Sequence, residues 1–226
     1  MAHWLPDREL VFIDMPKTGS HWVGSILASL GGMGAYAHQP AWAVPFGGRK
    51  ILTYRDPWSW YGSLYTHSLT ERASRSRLLV TTGGTLSFKD ALRVWTHPAE
   101  DPRDLFGWFL PIQFHMQVPF VSRERLLSYE GGLWSWLFSY FAGDAETWGR
   151  PNELRWGVDI LLNNGHLTEE LGQILGERLH GERPRTYAHL YDAEMRSWVS
   201  TSDAWGLSAL SWREGRTDVV RGSTLG

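Results

Sequence analysis

The stretch Met15-Pro16-Lys17-Thr18-Gly19-Ser20-His21-Trp22 combines one lysine, small residues and hydroxyls between two apolar runs. Upstream, Glu9-Leu10-Val11-Phe12-Ile13-Asp14 reads as a β-rich strand; downstream, Trp22, Val23, Ile26, Leu27 and Leu30 recur at helical spacing. A loop in that position is a strand-to-helix turn. The first N–H groups of the helix have no internal partner, and with the positive end of the helix dipole they favour an anion. Lys17 would add a mobile charge there. The same residues also fit an ordinary turn in which Thr18 or Ser20 caps the helix. The loop differs from the common nucleotide-binding loop, which places two glycines ahead of its lysine.

The elements that must position this loop follow in order along the chain. A helix from Ser20 is expected to end at Gly31-Gly32, and a loop carrying Tyr36-Ala37-His38-Gln39-Pro40 runs to Gly47-Gly48. Lys50-Ile51-Leu52-Thr53-Tyr54 is a compact β-favouring run that stops at Arg55-Asp56-Pro57, where Pro57 suits the first turn of a helix extending to about Arg72. Along that helix Ser59, Ser63 and His67 share one side. Two strand-loop-helix units in succession favour a parallel sheet.

Beyond them, Ala73–Thr85 reads as a mobile surface segment, and Ser87-Phe88-Lys89-Asp90 opens a short helix closed by His97-Pro98. A helix over Asp104–Val118 and a third strand over Arg125–Glu130 are expected next. The last third reads as helical. Its expected helices are Leu133–Phe141, Glu153–Leu162 with Gly165 as a left-handed stop, Thr168–Leu179 capped by Thr168, and Asp192 to about Leu210, followed by a polar tail from about 213. The expectation is therefore one α/β domain over residues 1–226, with a central parallel β-sheet flanked by helices and a helical C-terminal third.

Composition narrows the function classes. A net charge of -2 and a pI near 6.5 do not suggest nucleic acid as a partner. With no cysteine, a disulfide framework, a thiolate nucleophile and a Cys-based metal site are all excluded. The first residues lack an apolar signal core and no apolar run is long enough for a bilayer, so a soluble, cytoplasmic protein without a membrane partner is expected. Fourteen tryptophans exceed the usual need of such a core and point either to amphipathic pocket walls or to a Trp-rich core and surface.

Pro16-Lys17-Thr18-Gly19-Ser20-His21-Trp22 resembles the 5′-phosphosulfate loop of sulfotransferases, Pro-Lys-Ser/Thr-Gly-Thr/Ser-x-Trp. Arg55-Asp56-Pro57 followed by Ser63 and Tyr65 is similar to the family's 3′-phosphate motif, in which a strand-end arginine precedes a helical serine by eight positions. The resemblance implies a three-layer P-loop-like α/β fold binding 3′-phosphoadenosine 5′-phosphosulfate (PAPS, product PAP) across the carboxyl ends of the strands. His38-Gln39-Pro40 stands where cytosolic sulfotransferases carry a histidine and a proline, which makes His38 the candidate base. His67 and His115 are weaker alternatives. Tyr129-Glu130 is similar to the family's Tyr-Glu-Asp, with Gly131 in place of the aspartate, and implies Tyr129 beside the adenine. Arg183-Pro184-Arg185-Thr186-Tyr187 and Asp192-Ala193-Glu194-Met195-Arg196 resemble the C-terminal region of bacterial and Golgi-type members.

By this resemblance Lys17 meets the bridging oxygen of the leaving phosphate, and the amides of Thr18, Gly19, Ser20 and His21 with the Ser20 hydroxyl hold the 5′-phosphate. Trp22 offers a face to adenine, and Arg55 and Ser63 read the 3′-phosphate, with Arg185 favoured over Arg183 and Arg213 as a further contact. His21 departs from the family's small hydroxyl residue. No metal is expected. The acceptor would be a hydroxyl or amine of a small molecule or glycan, and Trp42, Phe46, Trp58, Trp60, Trp108 and Phe109 hint at an aromatic or phenolic one. Two other classes fit less of the pattern: a P-loop-related kinase, needing a magnesium-holding hydroxyl and carboxylate, and a Trp-rich carbohydrate- or partner-binding module without catalysis.

Overall fold

A computed structural model describes residues 2–35, 38–70, 87–97, 131–150, 153–181 and 186–211. Among the described residues five strands form one mixed sheet: β1 (Ala2–Leu5), β2 (Leu10–Ile13), β3 (Met33–Ala35), β4 (Arg49–Tyr54) and β5 (Ile160–Asn163), in the order β3-β1-β2-β4-β5. The α-helices among these residues are α1 (Ser20–Ser29), α2 (Pro57–Thr70), α3 (Phe88–Thr96), α4 (Leu133–Ala142), α5 (Leu167–Leu175), α6 (Ala193–Ser202) and α7 (204–211). Among the described residues no helix is long and apolar enough to cross a membrane.

Strand alternation assigns the two faces. Leu10 and Phe12 of β2, Ile51 of β4 and Leu162 of β5 pack with Val23 and Leu27 of α1 and Leu167, Leu171 and Leu175 of α5. Val11, Ile13, Leu52 and Tyr54 point the other way, into a larger core with Trp60, Tyr61 and Leu64 of α2, α3 and α4. Every residue of β2 is therefore buried, as a strand covered on both faces requires. Helix α4 is buried on all sides, which its sequence Leu-Trp-Ser-Trp-Leu-Phe-Ser-Tyr-Phe-Ala suits.

The parallel sheet expected from the sequence is only the core, β2-β4-β5. β1 runs antiparallel to β2 and β3 antiparallel to β1. The cause is local: β1 and β2 are joined by one 3-10 turn, Pro6–Arg8, with Glu9 at φ 49°, far too short for a parallel crossover. β3 occupies part of the expected loop after Gly32.

The C-terminal third is not all helix. Residues 160–163, expected as the end of a helix, form β5 beside β4, because a short apolar run carries no period that distinguishes strand from helix. Gly165 lies in a 3-10 turn. The left-handed stop is Gly176 (φ 65°), which ends α5 at Leu175, and His166 rather than Thr168 precedes the helix, with no side-chain cap. The expected final helix breaks at Asp203 into α6 and α7. The expected strand 125–130, helix 104–118 and surface segment 73–85 lie outside the described residues.

Asp203 explains that break. Its carboxylate is fully buried and accepts from the Ser135 amide (2.9 Å) and the Tyr61 hydroxyl (2.9 Å), capping α4 from another element. Gly132, the N-cap of α4, leaves no room for a Cβ, which would stand 2.6 Å from that carboxylate. Burial raises the Asp203 carboxyl to about 6, the bonds from Ser135 and Tyr61 opposing the rise. The folded form then binds the proton more tightly than the unfolded chain. Stability from this group is present in acid and falls by about 3 kcal/mol as pH rises through the window from about 4 to about 6. Urea unfolding of wild type and Asp203→Asn across that window should show the slope in wild type and its absence in the variant.

Candidate functional site

The loop after β2 lies at the carboxyl end of the parallel strands, where side chains from β2, β4 and β5 converge. Lys17 (φ 66°) and Gly19 (φ 95°) take left-handed conformations, and Gly19 is the N-cap of α1. Trp22 is the first residue whose N–H closes a turn on Gly19, at 3.1 Å, so the amides before it have no acceptor in the helix ladder. Thr18 is not the cap. Its hydroxyl is buried and bonded to the Met15 carbonyl (2.8 Å) and the Thr53 hydroxyl of β4 (2.7 Å), which turns the side chain inward and leaves only its backbone for a ligand.

Indole donors hold the surrounding backbone. Trp60 Nε1 of α2 donates to the Pro16 carbonyl at 2.8 Å, and Trp134 Nε1 of α4 donates to the Arg55 carbonyl at 2.9 Å. Both tryptophans are buried, so part of the tryptophan excess is core that bonds to the site's backbone rather than pocket wall. Trp42, Phe46 and Trp58 are partly buried against the same core, and Trp108 and Phe109 lie outside the described residues.

Arg55 follows β4 immediately. Its Nε and Nη2 donate to Asn164 Oδ1 at 3.0 and 2.7 Å, and Asn164 Nδ2 donates to the Thr18 carbonyl at 2.9 Å. One amide thus joins the lysine loop to the arginine. Burial lowers the Arg55 pKa, with Tyr187 and Asp56 opposing, and the guanidinium stays charged. Tyr187 packs so closely against α2 that a Cβ on Gly62 would stand 2.4 Å from its own. Asp56 caps α2 by accepting from the Ser59 amide at 2.8 Å.

His38 stands at φ 54°, and its Nδ1 is 3.2 Å from both the Asp14 carbonyl and Asp14 Oδ2. The Asp14 side chain is 3% exposed and the His38 side chain 37%. Burial raises the Asp14 pKa, but neighbouring charge, the His38 imidazole first, outweighs it and the group is held below its ordinary value.

The structure therefore brings Lys17, Thr18, Gly19, Ser20, His38 and Arg55 to one place. Ser63 lies on α2, half-buried and with no side-chain hydrogen bond among the described residues. At the start of α1 Ser20 is half-buried and His21 is exposed. Trp22 packs against the Leu167 core, with Gly181 close to its ring. Tyr129, Arg183, Arg185, Arg213 and His115 lie outside the described residues.

Sequence reasoning missed Asn164 and Tyr187. Asn164 follows an apolar run, and its signal was available only once that run is read as a parallel strand, whose carboxyl end is where α/β sheets bind ligands.

Asn164→Ala should lower stability by about 1–3 kcal/mol, because it leaves a half-buried guanidinium and the Thr18 carbonyl short of a partner. Gly19→Ala should cost a similar amount, about 1–3 kcal/mol, through its positive φ and a Cβ 2.7 Å from Asn164 Nδ2. Urea denaturation checks both. A loss below about 0.5 kcal/mol in each would mean that the amide bridge carries no strain or load.

No family model matches this chain, and neither a curated protein nor a solved structure is significantly similar to it.

Proposed function

We propose that the protein is a PAPS-dependent sulfotransferase with a P-loop-like fold, moving a sulfuryl group to a hydroxyl or amine of a small-molecule or glycan acceptor. The observation that carries this reading is the Asn164 bridge: it ties a lysine-bearing, amide-rich helix start to a half-buried arginine, as recognition of a nucleotide phosphorylated at two positions would need. The residue pattern of the two motifs supports it as well.

In this reading the amides at the start of α1 hold the 5′-phosphate, and Lys17 stabilises the charge that builds on the bridging oxygen as the sulfuryl group leaves. Arg55 forks onto the 3′-phosphate through the N–H groups of Nη1 and the second one of Nη2, which Asn164 does not take, and Ser63 donates from α2. His38 removes the acceptor proton. Trp22, His21, Tyr129 and Arg185 are assigned to the nucleotide on the sequence pattern alone. The kinase reading is weaker, because the Thr18 hydroxyl that would face magnesium is bonded inward to Met15 and Thr53.

Isothermal calorimetry with adenosine 3′,5′-bisphosphate is expected to give tight binding to wild type, unchanged by magnesium. Lys17→Ala and Arg55→Ala should each weaken it about 10- to 100-fold, the range expected for loss of a charge-assisted bond. His38→Ala should retain binding and lose turnover. Absence of binding to the wild-type chain would end this reading.

A further inference from the structure

We propose that Asp14 is the positioning residue of His38, fixing the imidazole with its proton on Nδ1 so that Nε2 carries the lone pair that accepts the acceptor's proton. The inference rests on the sulfotransferase reading for its chemistry, but its geometry stands separately. Nδ1 lies 3.2 Å from a carboxylate oxygen and 3.2 Å from a backbone carbonyl of the same residue, and both are acceptors only. A ring nitrogen facing two acceptors must carry the proton. The other nitrogen then has none until it takes one.

Asp14 suits this task by its place in the fold. It directly follows β2, whose residues are all buried, and its side chain is 3% exposed, so water competes little for the carboxylate. Asp14 also stands just ahead of the Lys17 loop in the chain, so one buried acid joins the base to the start of the loop assigned to the donor's 5′-phosphate. His38 is held at φ 54°, a conformation costly for a non-glycine residue and kept only where its surroundings hold it.

The step balances as follows. Nε2 of His38 takes the proton of the acceptor O–H or N–H, and the freed oxygen or nitrogen forms its bond to sulfur. The bond between sulfur and the bridging oxygen breaks, and its electron pair leaves on the 5′-phosphate of PAP beside Lys17. The resulting imidazolium faces the Asp14 carboxylate, which stabilises it without taking the proton. His38 later returns the proton to water.

Ring nitrogens of the full chain can be read by long-range proton–nitrogen NMR at about pH 8, where an ordinary histidine is neutral, with His38 assigned by its loss in His38→Gln. Wild type should show Nδ1 protonated and Nε2 bare. A predominantly Nε2-protonated His38 in wild type would overturn the proposal without any variant. In Asp14→Asn the pattern should mix or invert, and turnover should fall about 100-fold while adenosine 3′,5′-bisphosphate affinity stays within about threefold. An unchanged tautomer in a folded Asp14→Asn chain would also overturn it. If Asp14→Asn does not fold, the wild-type spectrum decides. Failure of wild type to bind the bisphosphate sinks the sulfotransferase reading but leaves the tautomer result intact, so the two failures are distinguishable.

Discussion

The side-chain amide of Asn164 is the contact on which the geometry of the candidate site depends. Its oxygen takes two N–H groups of Arg55 and its nitrogen donates to the carbonyl of Thr18. The three residues follow β5, β4 and β2, which are neighbours in the sheet and run parallel, so their carboxyl ends rise on one edge. An amide can serve here where a carboxylate cannot. It both accepts from the guanidinium and donates to a carbonyl, and unlike a carboxylate it adds no negative charge in competition with a bound anion.

Around that bridge the interior works as a set of polar anchors embedded in apolar packing. Trp60 and Trp134 bring large buried rings and one donor each, and those donors hold the backbone at Pro16 and Arg55. The Thr18 hydroxyl and Thr53 join β2's loop to β4 in the same way. Each bond adds only about 1 kcal/mol, but leaving any of these buried groups unpaired costs more, so they restrict the loop to one arrangement. That restriction is what allows Lys17 and His38 to keep left-handed backbone angles that cost non-glycine residues about 1–2 kcal/mol each.

Two buried carboxylates take opposite courses for physical reasons that the surroundings supply. Asp203 accepts from the Ser135 amide and the Tyr61 hydroxyl, and burial wins; Asp14 faces the His38 imidazole, and the charged form wins. The first closes a helix end and joins α4 to the last two helices. The second stands at the site. The difference lies in partners rather than in burial, because both are almost wholly excluded from solvent.

What the sequence determined by itself is what acts over a few residues. The helix after Ser20, the strand up to Tyr54, Pro57 at the start of α2 and the Ser87 cap of α3 all follow from short-range periodicity and turn chemistry. Lys17, Arg55 and His38 were legible as a set because motif spacing is local too. Tertiary structure decided the rest. The antiparallel edge, β5 and the break at Asp203 depend on which elements meet, and the partners that decide them lie far apart: Arg55 and Asn164 are 109 residues apart, Ser135 and Asp203 68. A run such as Ile160–Asn163 has no periodicity of its own to choose strand over helix, so the hydrogen-bonding edge of β4 makes the choice. Whether Thr18 caps a helix or turns inward was likewise settled by Thr53 on the neighbouring strand, a contact that no local pattern encodes.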